Sequence, residues 1–186
     1  MKTNPKLTLA FLFVFLTQLA PAQSFTQKGT IELGGDISFS SQKESEADAS
    51  LTTLSFNPYV GVMVSDGFEL GFRPQIMTVS YRGSSLSSLG LYLTPAYNFK
   101  TSSKAIPYLE FIIGYNSIDS DGDSYGGLGT GADGGLKINI AGNSLLLIKL
   151  EYLHQSYEMD GDSYSINTLS FGFGFRVFLG PKAAMK

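Results

Sequence analysis

The stretch T-L-S-F-G-F-G-F-R-V-F-L, residues 168–179, decides the fold. In an extended chain successive side chains point to opposite faces. Leu169, Phe171, Phe173, Phe175, Val177 and Leu179 then share one face, and Ser170, Gly172, Gly174 and Arg176 share the other. The period is two, which is not that of a helix. Aromatic residues backed by glycines and one arginine suit a strand that closes a membrane barrel, with its bulky side toward lipid and its small side toward a narrow lumen.

The alternation recurs upstream. Ile31, Leu33, Ile37 and Phe39 oppose Glu32, Asp36 and Ser38 within 29–40; Leu54, Phe56, Pro58, Val60 and Val62 oppose Ser55, Asn57 and Tyr59 within 53–62. Phe68, Leu70, Phe72, Pro74 and Ile76 oppose Glu69, Gly71, Arg73 and Gln75, and a run of Leu89, Leu91, Leu93, Pro95, Tyr97 and Phe99 follows. Leu109, Phe111, Ile113 and Tyr115 mark a fifth strand, Leu128 to Ile140 a sixth, and Leu146, Ile148, Leu150 and Tyr152 a seventh. The sequence therefore predicts an all-β chain: an eight-stranded antiparallel up-and-down transmembrane β-barrel. Asp66-Gly67 and Ala141-Gly142-Asn143-Ser144 read as tight turns. Residues 41–50, 82–87, 118–126 and 157–164 read as longer polar loops, and this alternation of short and long connections predicts periplasmic turns, external loops and both termini in the periplasm.

Alternation alone fits a soluble lipocalin-like barrel as well, with the apolar side turned inward. The polar face decides against it. It collects Glu32, Asp36, Glu69, Arg73, Glu110, Asp133, Lys137, Lys149, Glu151 and Arg176 among many glycines. Paired charges beside small residues are what the interior of an eight-stranded barrel accommodates, whereas charge on a lipid face costs about 2–4 kcal/mol. Pro58, Pro74, Pro95 and Pro107 oppose the scheme, because each removes a ladder donor in a sheet with no free edge; bulges or strand ends would accommodate them.

The bulk properties agree. The chain has 186 residues, of which 43% are hydrophobic and 16% charged, and its mean hydropathy of +0.08 is too polar for a bundle of membrane helices. A net charge of -3 offers no basic surface to nucleic acid. The absence of cysteine excludes disulfides, thiolate metal sites and a lipidated cysteine. Lys2 and Lys6, the apolar run Leu7 to Leu19 and Ala20-Pro21-Ala22 form a secretory signal, predicted to be cleaved after Ala22. The domain reading is a removed signal at 1–22, a barrel at 23–180 and a periplasmic tail at 181–186, exported to the outer membrane.

The stretches N-P-Y-V-G-V-M-V-S-D-G-F-E-L-G (57–71), L-T-P-A-Y-N-F (93–99) and I-P-Y-L-E-F-I-I-G-Y (106–115) resemble the outer membrane protein β-barrel domain family, the small OmpA/OmpX-like barrels common in Bacteroidota. The resemblance implies insertion by the outer-membrane assembly machinery, contact with outer-membrane lipid and lipopolysaccharide, and external loops open to extracellular ligands; it carries over no catalytic residue. Counting back from Leu179, the alternate apolar residues are similar to the carboxyl-terminal assembly signature of such barrels, without its terminal aromatic.

Three local motifs remain. D-G-D-S-Y occurs at 121–125 and again at 160–164; with Asp119 the first copy resembles the start of a calcium loop but lacks the later glutamate, and it reads as solvated turn sequence. Gly129 to Gly134 matches G-x-G-x-x-G, but a strand follows it where a dinucleotide site needs a helix. His154 and Ser156 share the outer face in a pattern similar to the His-x-Ser pair of outer-membrane lipid A deacylases, although Tyr157 stands where that family has asparagine. An outer-membrane esterase similar to the lipid A deacylases, using His154 and Ser156, is thus the alternative function; otherwise the sequence assigns no catalytic, cofactor or metal residues.

Overall fold

The computed structural model describes residues 25–43, 50–81, 84–101, 103–120, 123–159 and 162–180. Eight antiparallel strands form a closed barrel in chain order: β1 (Ile31–Lys43), β2 (Ser50–Ser65), β3 (Phe68–Tyr81), β4 (Ser84–Asn98), β5 (Ala105–Ser120), β6 (Asp123–Ala141), β7 (Ser144–Met159) and β8 (Asp162–Leu179). β8, the strand read first, pairs with β1 from Ile31↔Leu179 to Phe39↔Phe171 and closes the sheet. The partner of Val177 is Leu33; onward around the wall come Val60, Phe72, Leu93, Ile113, Thr130 and His154, and the circuit re-enters β8 at Asn167. The stagger is the ten residues between Val177 and Asn167. Eight strands with this stagger tilt by about 35–45° and leave a bore that side chains can fill.

The faces are as the alternation predicts. All ten charged residues of the polar face are at most 3% exposed, whereas Phe171, Phe173 and Phe175 are half exposed on the outer wall. Charges inside and phenylalanines outside are the inverse of a soluble barrel, so the lipocalin-like reading is excluded. The apolar band runs over Ile31–Phe39 on β1 and Leu169–Leu179 on β8, close to the nine to eleven tilted residues that cross a bilayer core. Tyr97 and Phe99 border it at one end, Tyr115 and Tyr152 at the other, where aromatic rings suit the lipid–water boundary.

Where the structure describes them, the long polar segments are strand, not loop. Only residues 82–83, 121–122 and 160–161 separate β3 from β4, β5 from β6 and β7 from β8; the six-residue connections are 44–49 and 99–104. Polarity marked where the strands leave lipid rather than where they stop, because ladder bonds are indifferent to side-chain polarity. The turns at the other end behave as read: Gly67 and Gly142 have φ of 82° and 48°, the left-handed region that favours glycine.

The prolines are handled by neither bulges nor strand ends alone. Irregularities occur at Met63/Ser65 and Asn139/Ala141, away from any proline. Pro107 sits near the start of β5, and its carbonyl accepts from Phe99 N–H at 2.9 Å. Pro58 and Pro74 face each other in mid-ladder, where pairing stops at Phe56↔Ile76 and resumes in the same register at Val60↔Phe72. Pro95 interrupts β4–β5 between Leu93↔Ile113 and Ala96↔Glu110. The outer wall is the testable part of this arrangement: Phe173→Lys, at mid-band, should lower unfolding stability in detergent or bilayer by about 2–4 kcal/mol, read from denaturant midpoints, with Ser165→Lys near neutral.

Candidate functional site

The lumen is filled in layers. At the end where β1 begins and β8 finishes, residues 25–30 fold back across the mouth. Gly67 N–H donates to Thr26 O, Gly29 N–H to Met63 O, and Met63 N–H to Thr30 O. Phe25 is thereby buried with Met63, Ile106, Leu145 and Phe178, its ring centroid 5.6 Å from that of Phe178. The sequence reading missed this plug, because a segment lying between a signal and the first alternating run shows no period of its own.

Above the plug lies a charge-neutral group. Lys137 Nζ contacts Glu32 at 3.0 Å and Glu69 at 2.7 Å, and Arg176 reaches Glu32 at 3.4 Å. The Arg176 guanidinium stacks 3.5 Å from the centroid of Tyr59, whose hydroxyl donates to Glu69 at 2.8 Å. Gly61 and Gly71 make room for that tyrosine: a Cβ at either would strike the Tyr59 ring or hydroxyl.

The next group is centred on Arg73. Its Nη1 reaches Glu151, Asp133 and Glu110 at 2.8, 3.2 and 3.4 Å, drawing β3 toward β5, β6 and β7 across the bore. Register places those three acids side by side, as Glu110↔Asp133 and Asp133↔Glu151 are paired positions. Lys149 adds contacts to Asp36 at 2.7 Å and Glu151 at 2.9 Å. Beyond this group Tyr92, Ile112 and Leu153 pack together, and Gln155 donates to the Tyr92 hydroxyl at 3.1 Å. All ten charged residues singled out in the sequence are thus brought together, yet they serve one another and leave no exposed reactive group.

The other motifs do not assemble into sites. Gly129 to Gly134 lies within β6, with no helix following. Asp121-Gly122 and Asp160-Gly161 of the repeated pentapeptide lie outside the described residues, as do 1–24 and 181–186. No cluster of metal-binding side chains occurs among the described residues. His154 Nδ1 is 2.8 Å from Asn167 Oδ1, an amide oxygen that also accepts from the Tyr152 hydroxyl at 2.8 Å; Nδ1 therefore carries the ring proton. The Ser156 hydroxyl donates to Leu128 O at 3.0 Å. The serine proton is held by a wall carbonyl, not by the histidine, so the pair lacks the nucleophile–base hydrogen bond of a hydrolase. Asn167 is the partner that the sequence did not supply.

A closed barrel with charges within, an apolar band without and a stagger of ten can be compared with known proteins. The fold is that of the small outer-membrane barrels. The crystal structure of Neisserial surface protein A superposes with a TM-score of 0.60 at 18% identity, covering 81% of this chain and 99% of that one. Outer membrane protein OprG from Pseudomonas aeruginosa gives 0.52 at 15% identity, over 86% and 100%. The N-terminal β-barrel domain of OprF from the same organism gives 0.51 at 16%, over 82% and 98%. No protein-family model and no curated protein matches the sequence.

Two measurements probe these contacts. Arg73→Met should cost about 3–5 kcal/mol of unfolding stability, since it strands three buried carboxylates; Glu110→Gln, which removes only the longest of the three contacts, should cost less in the same denaturant titration. In the turn below the lipid band, Asp66 accepts from Lys28 N–H at 2.9 Å and from Lys100 Nζ at 3.2 Å, and these bonds hold its carboxyl below the ordinary value of 3.8. A depressed folded value means that the contribution is complete above the unfolded value and is lost as pH falls through the folded one. The Lys28 amide resonance should therefore titrate with Asp66 on acidification, below pH 3.8, and should not do so in Asp66→Asn.

Proposed function

We propose that the protein is a non-enzymatic scaffold of the outer membrane, which anchors in lipid and presents its far-end strands and connections to extracellular partners. The observation that carries this reading is the closed lumen, blocked by the Phe25 plug, the Glu32–Lys137–Glu69 group and the Arg73 group in series. Such a bore leaves conduction unsupported. In this reading the signal at 1–22 directs export and is removed, the assembly machinery inserts residues 23–180, and the tail 181–186 remains periplasmic. Lipopolysaccharide surrounds the external end of the apolar band. The similarity of 57–71, 93–99 and 106–115 to Bacteroidota-type barrels supports the same view.

The exposed far end supplies the means of interaction. β1 pairs with β8 only up to Phe39↔Phe171, while β7 accompanies β8 from Met159↔Asp162 onward. Among the described residues, the β1 register with β8 ends short of Ser163, Tyr164, Ser165 and Ile166. An uncharged edge, S-Y-S-I at 163–166, is one that an extended segment of another protein can join by backbone pairing.

The reading predicts no sustained conductance for the refolded mature chain in planar bilayers. It further predicts that Ser163→Lys with Ser165→Lys leaves insertion and heat-modifiable gel mobility intact while reducing attachment of expressing cells to protein-coated surfaces. Steady channel currents, or unchanged attachment by cells bearing both the variant and deletions at 44–49, would refute it.

A further inference from the structure

Ladder loss at Pro58 and Pro74 has a chemical consequence inside the wall. Three successive pairings are missing there, between Phe56↔Ile76 and Val60↔Phe72. Losing three pairs, not one, identifies 58 and 74 as a position where each residue would donate to the other's carbonyl. Neither proline has an N–H, so both bonds are lost and the two carbonyls lack their ladder donors. The flanking outer residues are Phe56, Val60, Phe72 and Ile76, which offer no donor. A carbonyl left unsatisfied at this depth is strongly unfavourable.

The lumen side is different. Asn57, Arg73 and Gln75 adjoin the prolines, point inward, and are 0, 0 and 2% exposed. Asn57 Nδ2 donates to Asp36 at 2.7 Å, and Arg73 Nη1 serves three carboxylates. Yet Asn57 Oδ1, Gln75 Oε1, Arg73 Nε and Arg73 Nη2 have no hydrogen-bond partner among the described residues. Buried donors and buried acceptors thus occupy the same small region without reaching one another. A cation there is opposed by Arg73, and an anion by Glu110, Asp133 and Glu151. The species that fits is small, neutral and able both to donate and to accept.

We propose that the Pro58–Pro74 seam is a water-binding site in the barrel wall. Ordered water fed from the lumen accepts from Arg73 Nε or Nη2 and donates to the Pro58 and Pro74 carbonyls and the Asn57 and Gln75 amide oxygens. Each water makes the two to four bonds that stable burial requires. The wall is therefore wet on its inner side at one point of mid-band and dry outside.

The test is water-selective NMR on the refolded mature barrel in nanodiscs. Wild type should show cross-peaks from long-lived water to Arg73 Hε and to the Asn57 and Gln75 side-chain amides. Pro58→Ala with Pro74→Ala restores both ladder donors, and those cross-peaks should be lost; Pro74→Ala alone, if the double variant does not fold, should weaken them. Resolved Arg73, Asn57 and Gln75 signals without water contacts would overturn the proposal. So would cross-peaks that persist unchanged in the variants, because the water would then belong to the lumen at large and not to the seam.

Discussion

Arg73 Nη1, shared by Glu110, Asp133 and Glu151, is the contact on which the rest of the barrel depends. A sheet closed in lipid must satisfy every backbone group within itself and must turn its charge inward. Inward charge then has to be neutralised in a bore with little space for solvent. Breaking such a pair costs more than forming it contributes, because the surviving partner stays buried and uncompensated. The four acids and two bases around Arg73 and Lys149, and the separate Glu32–Lys137–Glu69–Arg176 group, hold opposite walls together where the ladder between β2 and β3 is weakest.

Much of this was legible in the sequence because a strand's period of two is rigid. Once Phe171, Phe173 and Phe175 were set outward, Arg176 had to point inward, and the same logic placed Glu32, Lys137 and Glu151. The partners of those charges were not legible. Which acid meets Arg73 depends on register and on the stagger of ten, properties of the closed sheet and not of any one strand. Strand ends are hidden in the sequence for a related reason. Segments such as 118–126 and 157–164 are polar because they have left the lipid, and side-chain polarity does not distinguish such a strand end from a loop.

The candidate site was less legible than the fold. His154 and Ser156 do share a face, as spacing required, but spacing says nothing of hydrogen-bond partners, and Asn167 and Leu128 take them. Pro58 and Pro74 lie 16 positions apart in the chain, and only the β2–β3 register sets them opposite each other. Phe25 gave no signal because a single aromatic in an aperiodic segment has no pattern against which to be read.

The plug formed by residues 25–30 makes the two ends of the chain unequal. The amino end is part of the barrel's closure, with Phe25 seated against Phe178, so any group joined near it competes with folding for the mouth of the bore. At the other end of the chain, β8 finishes at Leu179, which is half exposed on the outer wall. An attachment at that end starts from the lipid-facing side of a strand and not from the seal, so affinity handles, fluorophores and fused domains belong there.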